Sequence, residues 1–228
     1  NDLVAMACSV PCLEEKDVAV LQSGLQLKEG RISVVAAGTG LGQAFLIPTD
    51  SAKYYAVDSE GGHADFAPRN KLEAELLFFL QKKITRVSVE RVVSGPGVIH
   101  IFEFVKEHLY SGVSEDWQKG LQDEELVAEI IRCAVEKESE LCEKTLSIFV
   151  ELYGALAGNL ALQFLTKGGV YLGGGIVPRI LPLLEQGSFM QAFLEKGRFK
   201  SFLNEIPVKV ILNDRSALLG AAQFAFTH

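Results

Sequence analysis

Two kinds of residue in this 228-residue chain have the types and spacing to do chemistry. The first are two glycine clusters, Gly38-Thr39-Gly40 and Gly173-Gly174-Gly175, each directly after a short run of strand-forming residues. Glycines there leave backbone N–H groups free to face an anion, because no Cβ blocks the approach, and Thr39 adds a hydroxyl donor. The second kind is polar. Asn1 and Asp2 precede an apolar run, Glu60 and His63 flank a Gly-Gly pair, and Glu90 lies near a helix start. Carboxylates and amides set around a ring suit a polyol, whose hydroxyls each donate and accept. Taken singly, each residue fits a plainer role equally well. A glycine cluster also makes a tight hairpin without a ligand, Glu90 an exposed helix-start carboxylate, His63 a loop or core histidine, and Asp2 part of a frayed terminus. Neither cluster ends in Gly-Lys-Ser/Thr, so neither is a P-loop, and Gly173–Gly175 lacks the spacing of a dinucleotide fingerprint.

The elements that must position these residues are read from periodicity. Residues 34–37, 43–47 and 54–57 read as strands. The glycine-bearing breaks around them are too short for crossover helices, which predicts an antiparallel meander. Leu72, Leu76, Leu77 and Leu80 recur at helical spacing. Ser88 is placed to cap a short helix over 90–93 that Gly95-Pro96-Gly97 stops, with another helix over 98–109. Asp123 caps a predicted helix from 124 to about 135. A long helix occupies roughly 138–165, where Gly154, Ala157 and Gly158 admit a neighbouring backbone, and Lys167-Gly168-Gly169 ends it. A buried strand at 170–172, short helices containing 189–194, a strand at 208–212 and a terminal helix at 216–226 complete a mixed α/β pattern.

Composition narrows the function. Hydrophobic residues make up 48% of the chain, ample for a buried core. Lys and Arg number 22 against 29 Asp and Glu, and the basic residues form no stripe, so no nucleic-acid partner is expected. Cys8, Cys12, Cys133 and Cys142 form no CxxC pair and no His cluster, which argues against zinc and for free thiols in the cytoplasm. No signal peptide is read, and no membrane partner is expected. The apolar stretch 146–165 carries Glu151, Asn159 and Gln163, which fits a buried core helix better than a membrane span.

The combination is more specific than its parts. Residues 36–42 (Ala-Ala-Gly-Thr-Gly-Leu-Gly), 60–68 (Glu-Gly-Gly-His-Ala-Asp-Phe-Ala-Pro), 89–97 (Val-Glu-Arg-Val-Val-Ser-Gly-Pro-Gly), 158–162 (Gly-Asn-Leu-Ala-Leu) and 173–179 (Gly-Gly-Gly-Ile-Val-Pro-Arg) resemble the bacterial glucokinase family in content and order. Lys196-Gly-Arg-Phe199, Ile206-Pro207-Val208 and Leu218-Leu-Gly220 continue the match. The resemblance implies the ribonuclease H-like (actin-like ATPase) large domain of a two-domain sugar kinase. It implies transfer of the ATP γ-phosphoryl group to the 6-hydroxyl of glucose with Mg2+, giving glucose 6-phosphate and ADP for glycolysis. By that resemblance Asp2 is the base facing the 6-hydroxyl, and Asn1, Glu60, His63 and Glu90 are glucose contacts. Gly38, Thr39 and Gly40 then form the second phosphate-binding loop, and Gly173, Gly174 and Gly175 the loop covering the adenosine.

One family element, a strand hairpin carrying Asp-Gly-Gly-Thr-Asn, does not occur in this sequence. The expectation is therefore a chain without its N-terminal small domain and poorly active in isolation. Residues 1–207 would form the large domain, with the end of the small domain and the hinge at their start. Residues 208–228 would form a strand and helix that pack on the missing domain. A homodimer is implied by the family alone. A catalytically silent sugar-binding or regulatory module, or a kinase for a related hexose, stays open. The cysteine-rich zinc motif of the related repressor and sugar-kinase family does not follow the Glu-Gly-Gly-His loop.

Overall fold

The structure is a computed structural model that describes residues 2–25, 27–49, 53–110, 118 and 120–227. In chain order, α1 (Asp2–Ser9) precedes strands β1 (Val18–Gln22), β2 (Ile32–Ala37), β3 (Leu41–Pro48) and β4 (Tyr54–Ser59). Helices α2 (Lys71–Gln81), α3 (Gly95–His108), α4 (Asp123–Val135) and α5 (Glu140–Phe164) follow, then β5 (Gly169–Gly173). The chain continues through α6 (Leu181–Leu184), α7 (Ser188–Leu194), α8 (Lys200–Asn204), β6 (Val208–Ile211) and α9 (Ser216–Thr227). Among the described residues, one sheet has the order β1-β6-β5-β2-β3-β4. The predicted meander is β2-β3-β4, antiparallel throughout. β5 joins it parallel to β2 and passes the parallel relation on to β6.

The long helix is the centre of the core. Ser139 caps it, its hydroxyl accepting from the Cys142 amide at 3.3 Å, and it ends where Leu165 turns left-handed at φ 50°. It is long and apolar enough to cross a membrane by composition, yet most of its apolar window is buried inside the fold. Tyr153 on it is fully buried and donates its hydroxyl to the Val35 carbonyl at 2.9 Å, so helix and sheet share a satisfied polar contact. The small residues on α5 admit α7. A Cβ on Gly154 would stand 2.2 Å from the Phe189 carbonyl oxygen, and one on Gly158 would stand 2.5 Å from that of Phe193. On the opposite sheet face, Leu3 and Ala7 of α1, with Val10 just after it, pack against Val34, Ala44, Leu46 and Tyr171.

Several local expectations change. Gly95-Pro96-Gly97 opens α3 instead of stopping a helix. Ser94 accepts from the Gly97 amide at 3.1 Å, and Pro96 occupies the first turn, where a missing N–H removes no helix bond. Residues 89–91 form only a 3-10 turn, and Ser88 makes no side-chain cap there. Gln122, not Asp123, caps α4, in a reciprocal box with Glu125. β1 goes unread in the sequence because its five residues show no in-out alternation. Residues 208–211, expected to leave the domain, form β6 inside the sheet between β1 and β5, with Val208 and Val210 fully buried. α9 follows and crosses α1 so closely that a Cβ on Gly220 would meet the Ala5 carbonyl.

Candidate active site

Both glycine loops emerge at one edge of the sheet because β2 and β5 are parallel neighbours, with Ala36 paired to Gly173. In open α/β sheets this edge, beyond the carboxyl ends of parallel strands, is where ligands bind. The Gly38–Gly40 turn is closed by the Gly38 amide donating to the Gly40 carbonyl at 2.9 Å. It is tied to α3 by the Gly95 amide donating to the Gly38 carbonyl at 2.7 Å. The second loop leans on the first. Gly174 has φ +92°, and a Cβ there would stand 2.2 Å from the Ala37 carbonyl oxygen, so only glycine fits on both counts.

Between the loops lies a cleft of about 490 Å³, lined by Gly38, Thr39, Pro96, Asp123, Gly175 and Arg179 among others. A Cβ placed on Gly38 or Gly175 would meet nothing within 4 Å, so both glycines leave their side of the cleft open. The α3 amides at its start are already occupied, at Gly95 by Gly38 and at Gly97 by Ser94. That helix therefore contributes the field of its N-terminus more than free donors. The Thr39 amide and hydroxyl make no hydrogen bond among the described residues, and they remain available to a ligand.

The polar set is assembled by the strand after the first glycine loop. Glu60 opens a 3-10 turn over Gly61–His63, closed by the His63 amide donating to the Glu60 carbonyl at 2.9 Å. The turn is pressed onto β3: a Cβ on Gly62 would stand 2.2 Å from the Leu41 carbonyl oxygen, and one on Gly61 would stand 2.1 Å from Gln43 Oε1. Glu60 and His63 stay exposed, their Oε2 and Nε2 atoms 4.0 Å apart. The turn then pairs with the segment that carries Glu90. Phe66 donates its amide to the Val87 carbonyl at 3.0 Å, and Val89 to that of Ala64 at 2.9 Å. Glu90 closes the circle, its Oε2 accepting from the Leu41 amide at 2.9 Å. A Cβ on Gly40 would crowd that same oxygen at 2.8 Å, so glycine at 40 is what lets the carboxylate reach.

Asp2 is exposed in the first turn of α1. That helix spans the same edge. Leu3 sits over Gly42 of β3 (2.7 Å to a would-be Cβ) and the Met6 sulfur over Gly173 (2.6 Å). Asp2 is thereby carried to the start of β3, with no hydrogen bond to the other candidates among the described residues. Asn1 lies outside the described residues. Sequence reasoning missed Arg86, which donates to the His63 carbonyl and holds Asp65 at 3.0 Å, because an isolated arginine before a turn carries no local signal. It also missed the α3 start as a wall of the cleft, although Gly95-Pro96-Gly97 was in plain view. No group of three or more His, Cys, Asp and Glu side chains able to hold a metal occurs among the described residues.

Comparison with known proteins covers the whole chain. A glucokinase family profile matches residues 1–228. The chain belongs to the glucokinase family. It is similar to the glucokinase of Nostoc punctiforme, 46% identical over 235 residues covering 97% of this chain and 69% of that protein. It is 42% identical to the Synechocystis glucokinase, covering 97% and 66%. The chain thus spans about two thirds of the length of these relatives. Among solved structures it matches a glucokinase from an Antarctic psychrotroph with a TM-score of 0.88 at 32% identity, covering 100% of this chain and 68% of that one. A glucokinase from Balamuthia mandrillaris solved with glucose (TM-score 0.84, 21% identity, 100% and 65% covered) shares the fold. So does a ROK family glucokinase from Streptomyces griseus solved with glucose and AMPPNP (TM-score 0.68, 16% identity, 100% and 67% covered). Glucokinase family membership and the sugar-kinase fold of actin-like type are therefore established for this chain.

Proposed function

We propose that the protein is an ATP-dependent glucokinase that moves the γ-phosphoryl group of ATP to the glucose 6-hydroxyl, giving glucose 6-phosphate and ADP. The observation that carries the reading is the Glu90–Leu41 hydrogen bond. It fastens a sugar-contact carboxylate to the residue directly after Gly38-Thr39-Gly40, so a polyol site and an anion loop share one rigid joint. Phosphoryl transfer asks the protein mainly for alignment and charge stabilisation, and such a joint supplies alignment. In this reading Glu60, His63, Glu90 and Asn1 hold the sugar hydroxyls. Asp2 orients the 6-hydroxyl and accepts its proton as attack proceeds. Gly38, Thr39 and Gly40 form the phosphate loop, with the Thr39 amide and hydroxyl as its available donors, and Gly173, Gly174 and Gly175 cover the adenosine.

ATP fits the residues present: the Cβ-free sides at Gly38 and Gly175 form a cradle in the cleft that any side chain would begin to fill. Mg2+ held chiefly by phosphate oxygens needs no cage of protein carboxylates, and it would neutralise charge between the β- and γ-phosphates. All four cysteines are thiols outside any disulfide, which suits a cytoplasmic protein. A further domain, closing over the cleft to exclude water, belongs to the same proposal, as does a homodimer. The exposed Leu218 and Phe224 of α9 offer apolar surface for such packing.

The test is a coupled assay for glucose 6-phosphate on the protein expressed from its complete gene, with 6-deoxyglucose as control. Turnover of glucose, and binding without turnover of 6-deoxyglucose, is the expected result. Nucleotide hydrolysis that ignores glucose would overturn the reading.

A further inference from the structure

Two sequence motifs, Gly158-Asn-Leu-Ala-Leu162 and Lys196-Gly-Arg-Phe199, have no part in the site described above, yet the fold brings them together directly behind it. A cavity of about 280 Å³ is walled by Asp65, Arg69, Glu73, Val89, Asn159 and Lys196 among others. Asp65 belongs to the strand-like continuation of the Glu60–His63 turn, and Val89 directly precedes Glu90. The cavity is therefore backed by both segments that carry the proposed glucose contacts.

Its polar wall is organised around one carboxylate. Glu73 is 3% exposed and accepts from the Arg69 amide at 2.7 Å, Arg69 Nε at 3.1 Å, Arg69 Nη2 at 2.5 Å and Asn70 Nδ2 at 3.2 Å. The other arm of the guanidinium, Nη1, reaches Glu195 at 3.3 Å, on the turn after α7. Lys196 follows, its stem laid across α5 so closely that a Cβ on Gly158 would stand 2.9 Å from its Cε. Burial, and then the Arg69 charge, pull its ammonium pKa below the ordinary lysine value. The cluster thus places Arg69 and Lys196 opposite Glu73 and Glu195, and it joins the chain leaving the sugar turn to the α7–α8 turn.

We infer that Arg69 is a positioning residue for the sugar site: its fork, held between Glu73 and Glu195, fixes the rear of residues 60–66 and of the Glu90 turn. The inference rests on the proposed glucose site. Arg86 clamps the front of the same segment at His63 and Asp65, so removal of the rear anchor lets it shift without unfolding. Only a planar guanidinium spans both carboxylates, and lysine keeps the charge but not the fork.

The experiment measures KM for glucose and for ATP, kcat and Tm for the parent, for Arg69→Lys and for the double variant Arg69→Met/Glu73→Met. The double variant removes both charges together and leaves no buried carboxylate unpaired. The expected result is a rise of about tenfold in glucose KM for both variants, the scale of a sub-ångström misplacement. The ATP KM and kcat at saturating glucose stay within about twofold. A merely structural pair would lower Tm and leave the glucose KM where it was, and that result in either folded variant overturns the inference. Equal rises in the two KM values overturn it as well. If the parent binds glucose without phosphorylating it, calorimetric Kd values for glucose and ATP on the same variants take the place of the KM values, with the same expected and contrary outcomes. A parent that binds no glucose sinks the proposed function itself, and this inference with it.

Discussion

Gly62→Ala is a single-atom probe of how the proposed sugar turn is seated. The added Cβ would stand 2.2 Å from the Leu41 carbonyl oxygen, whereas a carbon beside a carbonyl oxygen rests at about 3.3–3.6 Å. The turn and β3 must then separate by about 1 Å, since the obstruction is backbone and no side chain can swing aside. Neither partner is free to give. Leu41 is registered against Ala37 across the hairpin and its amide is held by Glu90, while the chain leaving the turn is tied to residues 87–89 by two backbone hydrogen bonds. The overpacking costs about 1–3 kcal/mol of stability. The displacement falls on Glu60, His63 and Glu90 together, and a shift of about 1 Å at a reacting constellation costs on the order of a hundredfold in kcat/KM for glucose. Thermal unfolding read beside a coupled glucose 6-phosphate assay separates the two effects. A Gly62→Ala protein with the parent's Tm and glucose KM would refute the reasoning, because it would mean that the turn does not rest on Leu41.

Gly38→Ala is the converse case. A Cβ there meets nothing within 4 Å of the fold, so Tm is expected to hold, while nucleotide KM rises by about tenfold as the cradle is filled. An unchanged ATP KM would remove that loop from the nucleotide site. Away from the site, Arg132 draws the carboxyls of Glu129 and Glu138 below the usual glutamate value. Carboxyls whose pKa is depressed by folding stabilise above their unfolded pKa and lose that contribution as pH falls through the folded value. Arg132→Gln is therefore expected to lower stability at pH 7–8 by the small amount an exposed, screened network supplies, and to flatten the fall below about pH 4.5, so that the two proteins converge in acid. A parallel acid limb in the two proteins would show that the cluster contributes nothing there.

The legible parts of this fold are those written in neighbouring residues. Residues 34–37 and 170–172 announce strands by β-branched and apolar side chains ending in glycine, and the α5 stripe announces a core helix. Gly95-Pro96-Gly97 misleads because glycine and proline are strong local breakers. What decides their sense is the Ser94 hydroxyl, which makes them a helix start. β1 stays hidden because its partner, β6, lies some 190 residues on, and an edge strand half-buried on both faces shows no alternation.

The candidate site divides in the same way. Residue types point to an anion loop and a polyol site separately, and the family resemblance supplies their roles. That they form one edge depends on the parallel pairing of Ala36 with Gly173 and on a Glu90–Leu41 bond across 49 residues, neither of which has a local signature. The Arg69–Glu73–Glu195 cluster is invisible in the sequence for the same reason, since its third member is 126 residues from the first.

The most direct test of the proposed mechanism is kcat for Asp2→Asn, a change that keeps the side chain's size and removes its capacity to take a proton. With Asp2 as the base on the 6-hydroxyl, kcat is expected to fall by about 10²–10⁴ while glucose KM stays within a few-fold. An Asp2→Asn enzyme that phosphorylates glucose at the parent's rate would contradict the account.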